Sequence, residues 1–162
     1  MCIFCKIVDG IAPAHKIWED DKYMAILSIF PNTDGFTVVF PKIHMPSYAF
    51  ALEDAELIGL TLAARKVALL LDRAFDDVGR TGMIFEGYGV DHVHAKLFPM
   101  HGTSKTQPWQ KISSNVKKFF DKYEGYISSH DHQRADEGHL KRMAEKIGAM
   151  EKTDRHGERD QV

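Results

Sequence analysis

The stretch His92-Val-His94-Ala-Lys96-Leu-Phe-Pro99 constrains this chain more than any other. Apolar and ionisable side chains alternate along it. That is the period of a β-strand, whose successive side chains point to opposite faces. Val93, Ala95 and Leu97 then face a core, while His92, His94 and Lys96 share the other face. Three ionisable groups on one strand face can serve as metal ligands, nucleophile or phosphate anchor, or can form a solvated surface. Which of these holds depends on what the rest of the chain brings to that face.

Residues 1–50 read as short strands and turns. Lys16-Ile-Trp18 and Tyr23-Met-Ala-Ile-Leu-Ser-Ile29, separated by Glu19-Asp20-Asp21, predict a hairpin. Phe36-Thr-Val-Val-Phe40, between Gly35 and Pro41, predicts a strand. Leu57, Leu60, Ala64, Val67, Ala68 and Leu71 recur at three- and four-residue spacing and predict one long helix over 52–75. Met83-Ile-Phe-Glu86 predicts a short strand, Gly87-Tyr-Gly89 a turn, and 91–99 the strand carrying the histidines. Trp18 and Met83 are expected in the core. The aromatic arm at 104–127, with Trp109, Phe119, Phe120, Tyr123 and Tyr126, is expected to pack on it. Leu140, Met143, Ala144, Ile147 and Met150 keep a helical period, so a helix is expected near 134–150, followed by a disordered end at 152–162. The 162 residues thus divide into a domain at 1–130 and a charged C-terminal helix and tail at 131–162.

There are 21 basic and 23 acidic side chains, a formal net charge of −2. This excludes a strongly basic footprint, and nucleic acid is not expected as a partner. The longest apolar stretch, 55–75, is broken by Glu56, Arg65, Lys66, Asp72 and Arg73, so no membrane partner is expected. Early charges at Lys6 and Asp9 do not suit a signal peptide, and the expected location is cytoplasmic. In a reducing compartment Cys2 and Cys5 form either a redox pair or half a metal site. His44, in Pro41-Lys-Ile-His44 after a strand, and His92 offer two further ligands. Two thiolates and two imidazoles make a closed tetrahedral set.

Four stretches together resemble the histidine-triad (HIT) superfamily. They are Cys2-Ile-Phe-Cys-Lys-Ile-Val-Asp-Gly10, Trp18-Glu-Asp-Asp21, Gly35-Phe-Thr-Val-Val-Phe-Pro-Lys-Ile-His44 and His92-Val-His-Ala-Lys-Leu-Phe-Pro99. They span about residues 1–101. The resemblance implies an α+β fold with a five-stranded antiparallel sheet and one long helix, here with a C-terminal helical extension, and a homodimer. It implies a nucleotide or nucleotide-conjugate substrate, cleaved at the α-phosphate through a nucleotidyl-histidine. His94 matches the nucleophile. Cys2, Cys5, His44 and His92 match the ligands of a structural zinc ion. Ile3, Phe4, Ile7 and Ile29 match the apolar nucleoside pocket, and Ser28 stands where the family places an acidic residue for the ribose. A neutral imidazole suits this chemistry, because it splits one displacement at phosphorus into two.

The departures from the family pattern shape the expectation. Lys96 replaces the third histidine of the motif and reads as a phosphate anchor, although a lysine is a point charge with none of the geometry of imidazole. Phe36 replaces a histidine, Glu86 replaces an asparagine, and the Gly-Gln-Ser phosphate loop is absent. The alternative reading is therefore a non-catalytic nucleotide-binding or signalling module on the same fold. His101-Gly102 is either part of a phosphate pocket or a solvated turn. Ser128-Ser-His-Asp131 is either a helix cap or a substitute for the missing loop. His132, His139 and His156 are expected to be exposed, and His15 carries no signal.

Overall fold

The computed structural model describes residues 2–104, 108, 111, 119–123, 127 and 133–157. Its elements are α1 (Ile3–Val8), β1 (Lys16–Glu19), β2 (Tyr23–Leu27), β3 (Thr37–Pro41), α2 (Asp54–Ala74), β4 (Thr81–Ile84), β5 (Ala95–Pro99) and α3 (Glu137–Gly157). The five strands form one sheet in the order β1-β2-β3-β5-β4. Every neighbouring pair is antiparallel. This is the α+β architecture expected, with the motif strand β5 clamped between β3 and β4.

Strand alternation divides the core into two layers. On one face Ala25, Leu27, Val39, Val93, Ala95 and Leu97 pack against α2 and α3. On the other, Met24, Ile26, Val38 and Phe40 pack with Phe4 of α1. The period-3.6 stripe of α2 buries Leu60, Ala64, Val67 and Leu71, and a reciprocal cap between Glu53 and Glu56 fixes its start. A turn at Gly35 feeds β3. Its φ is +78°, and a Cβ there would lie 2.7 Å from the Phe75 ring, so only glycine fits.

Four expectations need correction. The N-terminal segment is not all strand and turn, because Cys2 caps a short helix, its sulfur accepting from the Cys5 backbone N–H at 3.4 Å. The strand expected over 91–99 begins only at Ala95, since the 90–94 backbone bends to bond Val90 and Met45 instead. Met83 is not core but 42% exposed, and Phe119 is 88% exposed. Trp109 and Tyr126 lie outside the described residues, as does the Ser128-Ser-His-Asp131 cluster.

The last correction concerns the tail. The helix runs to Gly157 rather than stopping near 150. Its apolar stripe is spent within the chain. Leu140 and Ile147 are buried in the main core, with Met143, Ala144 and Met150 packed around them. Gly148 faces β1, where an added methyl would make an ordinary contact of 3.5 Å with the Ile17 carbonyl. Two histidines expected to be idle fasten its start: His15 pairs with Glu137 at 2.8 Å and His139 with Asp34 at 2.9 Å. A docked helix of this kind has a definite worth. Ile147→Ala should lower unfolding free energy by about 2–5 kcal/mol in denaturant titration. A change below about 0.5 kcal/mol, the range of ordinary surface substitutions, would show that α3 does not share the core.

Candidate active site and metal centre

The face of β5 opposite α2 carries the chemistry. His92, His94 and Lys96 are all buried, at 0%, 3% and 1% exposure. Such groups are expensive to bury without partners, and each has one. His92 Nε2 lies 2.8 Å from the Pro41 carbonyl oxygen, so that nitrogen donates and Nδ1 keeps its lone pair. His94 Nδ1 lies 2.8 Å from the His92 carbonyl oxygen. The same reasoning puts the proton of a neutral His94 on Nδ1 and leaves Nε2 with its lone pair. The Phe4 ring meets both imidazoles edge to face, at 5.6 and 5.3 Å between centroids. Phe4 is in turn stacked on Phe40 at 4.4 Å.

His92 Nδ1 points at the cysteines. The i, i+3 spacing places both thiols on one side of the first turn of α1. Cys2 Sγ and Cys5 Sγ are 3.3 Å apart, and His92 Nδ1 is 3.3 and 3.7 Å from them. His44 Nδ1 completes the group at 3.8 and 3.7 Å. Tetrahedral zinc with its usual bond lengths sets ligand–ligand separations of about 3.4–3.8 Å. The S–S and one S–N separation fall slightly short of this at 3.3 Å, and the four atoms are compatible with zinc once the thiols open by a few tenths of an ångström. Burial pushes the Cys2 thiol up, but the Cys5 backbone N–H, the Cys5 thiol and the hydrogen-bonded contacts with His92 and His44 bring it down to about 6. Cys5 is raised, first by its hydrogen bond to Cys2, then by burial and by the charge of Cys2. The pair thus holds one negative charge readily, which suits a cation.

Lys96 has a partner that the motif does not announce. Its ammonium is 2.6 Å from Glu86 Oε2, with the two side chains 1% and 4% exposed. The other carboxylate oxygen accepts from Tyr123 Oη at 2.8 Å. Lys96 is thus an ion-paired cation rather than an unattended one beside the imidazole. Gly87 fixes the turn after Glu86: its φ is +80°, and a Cβ would sit 3.0 Å from the Ser47 carbonyl. Glu86 is visible in the sequence only as a departure from the family pattern. Its role depends on a strand register that sequence alone does not give.

The residues expected at a nucleoside pocket do not all converge. Phe4 and Ile7 belong to the layer that carries His94, and Ile3 is exposed at the outer side of α1. Ile29 packs against the other layer, and its carbonyl accepts from the Ala135 N–H. Ser28 Oγ accepts from the Phe30 N–H and lines a water-sized cavity with Asp34 and His139. His101 forms a turn: it bonds Asp77 at 3.0 Å and the Asp34 carbonyl at 3.1 Å. Burial alone would lower His101, but these partners raise it above the usual histidine value.

An antiparallel five-stranded sheet with a buried, oriented imidazole beside a cysteine–histidine cluster defines a histidine-triad type of domain. The HIT domain family model matches residues 10–103, and the chain belongs to that family. A HIT-like protein of Mycoplasma genitalium is 31% identical over 127 residues, covering 76% of this chain and 89% of its own. A zinc-bound histidine triad family protein from Mycobacterium smegmatis is 20% identical with a TM-score of 0.67, covering 96% of each chain. A hypothetical histidine triad nucleotide-binding protein from Sulfolobus tokodaii reaches 0.69 at 20% identity, covering 94% of this chain and 93% of that one. At these identities the two structures establish the fold.

The buried pair generates a test. Lys96→Met leaves a buried carboxylate with its main partner gone and should cost about 3–5 kcal/mol. Adding Glu86→Gln should recover more than half of that loss. Denaturant titration of the two variants checks it, and additive losses would show that the two charges are not coupled.

Proposed function

We propose that this protein is a nucleotide hydrolase or nucleotidyl transferase that works through His94. The observation that carries the reading is the hydrogen bond from His94 Nδ1 to the His92 carbonyl, which turns Nε2 into the acceptor. A substrate with its nucleoside monophosphate half against Phe4 and Ile7 would bring its α-phosphorus to Nε2. The Nε2 lone pair forms the N–P bond as the bond from phosphorus to the leaving group breaks. The leaving group departs with that electron pair and takes up a proton. Water then attacks phosphorus, loses a proton to solvent, and returns the electrons of the N–P bond to the imidazole. Phosphoramidates, dinucleoside polyphosphates and other adenylylated compounds all fit this scheme. Lys96, held by Glu86, is the buried cation on the same strand face for the phosphoryl oxygens.

His94→Asn should abolish turnover of the best adenylylated substrate and remove the transient nucleotidyl-protein adduct seen by mass analysis without acid. Nucleotide binding should persist. Turnover at the wild-type rate in that variant would remove His94 from catalysis and favour the nucleotide-binding or signalling module, the reading that the neutralised Lys96 supports.

The Cys2, Cys5, His44 and His92 cluster is proposed to hold a structural zinc, fixing α1 against the turn before β5 and keeping His92 oriented. Two free thiols suit a reducing setting such as the cytoplasm. Protein purified without added metal should contain about one zinc per chain, in keeping with a single four-ligand structural site. Chelation should lower its melting temperature. Metal-free reduced protein with the same melting temperature would exclude the site. A homodimer is proposed as well: Ile58, Leu62 and Leu69 leave an apolar, exposed line on α2.

A further inference from the structure

Cys2 and Cys5 are the only cysteines in the chain, and both are free thiols. Each is only partly buried, and their sulfurs stand 3.3 Å apart on one turn of backbone. The Cys5 N–H points at Cys2 Sγ from 3.4 Å, so that sulfur is drawn back over the turn towards its partner. A disulfide needs the two sulfurs to close by roughly a further ångström. The two imidazoles beside them are not equivalent. His92 is fully buried, its Nε2 is tied to the Pro41 carbonyl at 2.8 Å, and its ring meets Phe4 and Phe40 edge to face. His44 is exposed.

The sulfurs are the anionic donors of this four-residue group, so a disulfide between them removes both at once. Two neutral imidazoles are left, half the ligand number of a structural zinc site. Partial exposure of both side chains gives a small oxidant a way in. Proximity then favours closure on the neighbouring sulfur over further oxidation of the first. Phe4 lies between the two cysteines in sequence, on the turn that would tighten. Its ring stands 5.3 Å from that of His94, edge to face. The oxidation state of the pair therefore bears on the packing around the nucleophile as well as on the metal.

We propose that Cys2 and Cys5 are a modification site, a dithiol that a hydroperoxide converts to a disulfide, discharging the metal ion bound by Cys2, Cys5, His44 and His92. The discharge rests on the reading of that cluster as a zinc site; the disulfide does not. One sulfur attacks an oxygen of hydrogen peroxide. An S–O bond forms, the O–O bond breaks, and its electron pair leaves on hydroxide, which takes up a proton to become water. The second sulfur then attacks the first. An S–S bond forms, the S–O bond breaks, and a second hydroxide leaves with that electron pair and is protonated to water. The two sulfurs have lost two electrons, the peroxide has gained them, and the freed cation passes to solvent.

The test uses reduced wild-type protein as purified and hydrogen peroxide as the oxidant, so no variant has to fold. Thiol titration, intact mass under denaturing conditions, a zinc indicator dye and the melting temperature are the readouts. Both thiols should disappear together. The mass of the single chain should fall by two hydrogens with no oxygen added. One zinc should be released per disulfide, and the melting temperature should drop. A dithiol reductant supplied with zinc should restore all four readings. Thiols that persist at a dose that fully oxidises free glutathione would overturn the proposal. So would oxygen added to either sulfur as the main product, or disulfides formed between chains. A disulfide formed with the zinc still bound would overturn the discharge. If the reduced protein holds no zinc, the zinc reading fails, and titration and mass then decide the dithiol alone. Loss of two hydrogens within one chain sustains it, and persistent thiols refute it.

Discussion

Three ionisable side chains, on β5 and the segment that leads into it, are buried to 3% exposure or less, and every one of them must be answered by a hydrogen-bonding partner. The partners come from three separate parts of the chain. The end of β3 supplies the Pro41 carbonyl to His92, the motif's own backbone supplies the His92 carbonyl to His94, and the turn after β4 supplies Glu86 to Lys96. The last of these partners can meet the strand only because β5 lies beside β4, and the first only because it lies beside β3. Satisfying those groups therefore ties the central register of the sheet to the orientation of each side chain. The α1 helix then closes the face with Phe4, whose ring fills the space against both imidazoles.

The metal cluster and the nucleophile are connected through a single residue. His92 uses one ring nitrogen to face the cysteines and the other to bond Pro41, while its carbonyl fixes His94. A disturbance at the thiols would reach Nε2 of His94 through only two covalent units. This is the same logic by which outer partners of a metal ligand set its ring orientation, here extended one step to a neighbouring imidazole.

The parts of this picture that depend on period were legible in the sequence. The alternation at 92–97 announced two faces, and the stripe on α2 announced the helix that covers one of them. The four cluster residues were legible because the chain has only two cysteines and the resemblance picks His44 and His92 out of nine histidines as their companions. What depends on pairing was not legible. Glu86 is one of 23 acidic residues, and nothing local distinguishes it until β4 and β5 are in register. Ile29 came from the resemblance and not from period: beyond the last paired residue of β2 the chain leaves the strand, so alternation does not fix which layer that side chain joins. His15 and His139 were passed over because each bonds a residue more than a hundred positions away.

The helix that lies along β1 has an effect on how copies of this chain can meet. Of the two rims of the sheet, that at β1 has α3 lying along it, with Gly148 facing the Ile17 carbonyl. A sheet that could add a strand at both rims can grow without end, which is the geometry of fibres. An added strand at the β1 rim would have to compete with a helix whose Leu140 and Ile147 are buried in the main core. The tail thus acts as a guard on that rim: a strand can add at β1 only at the cost of the burial that holds the helix in place.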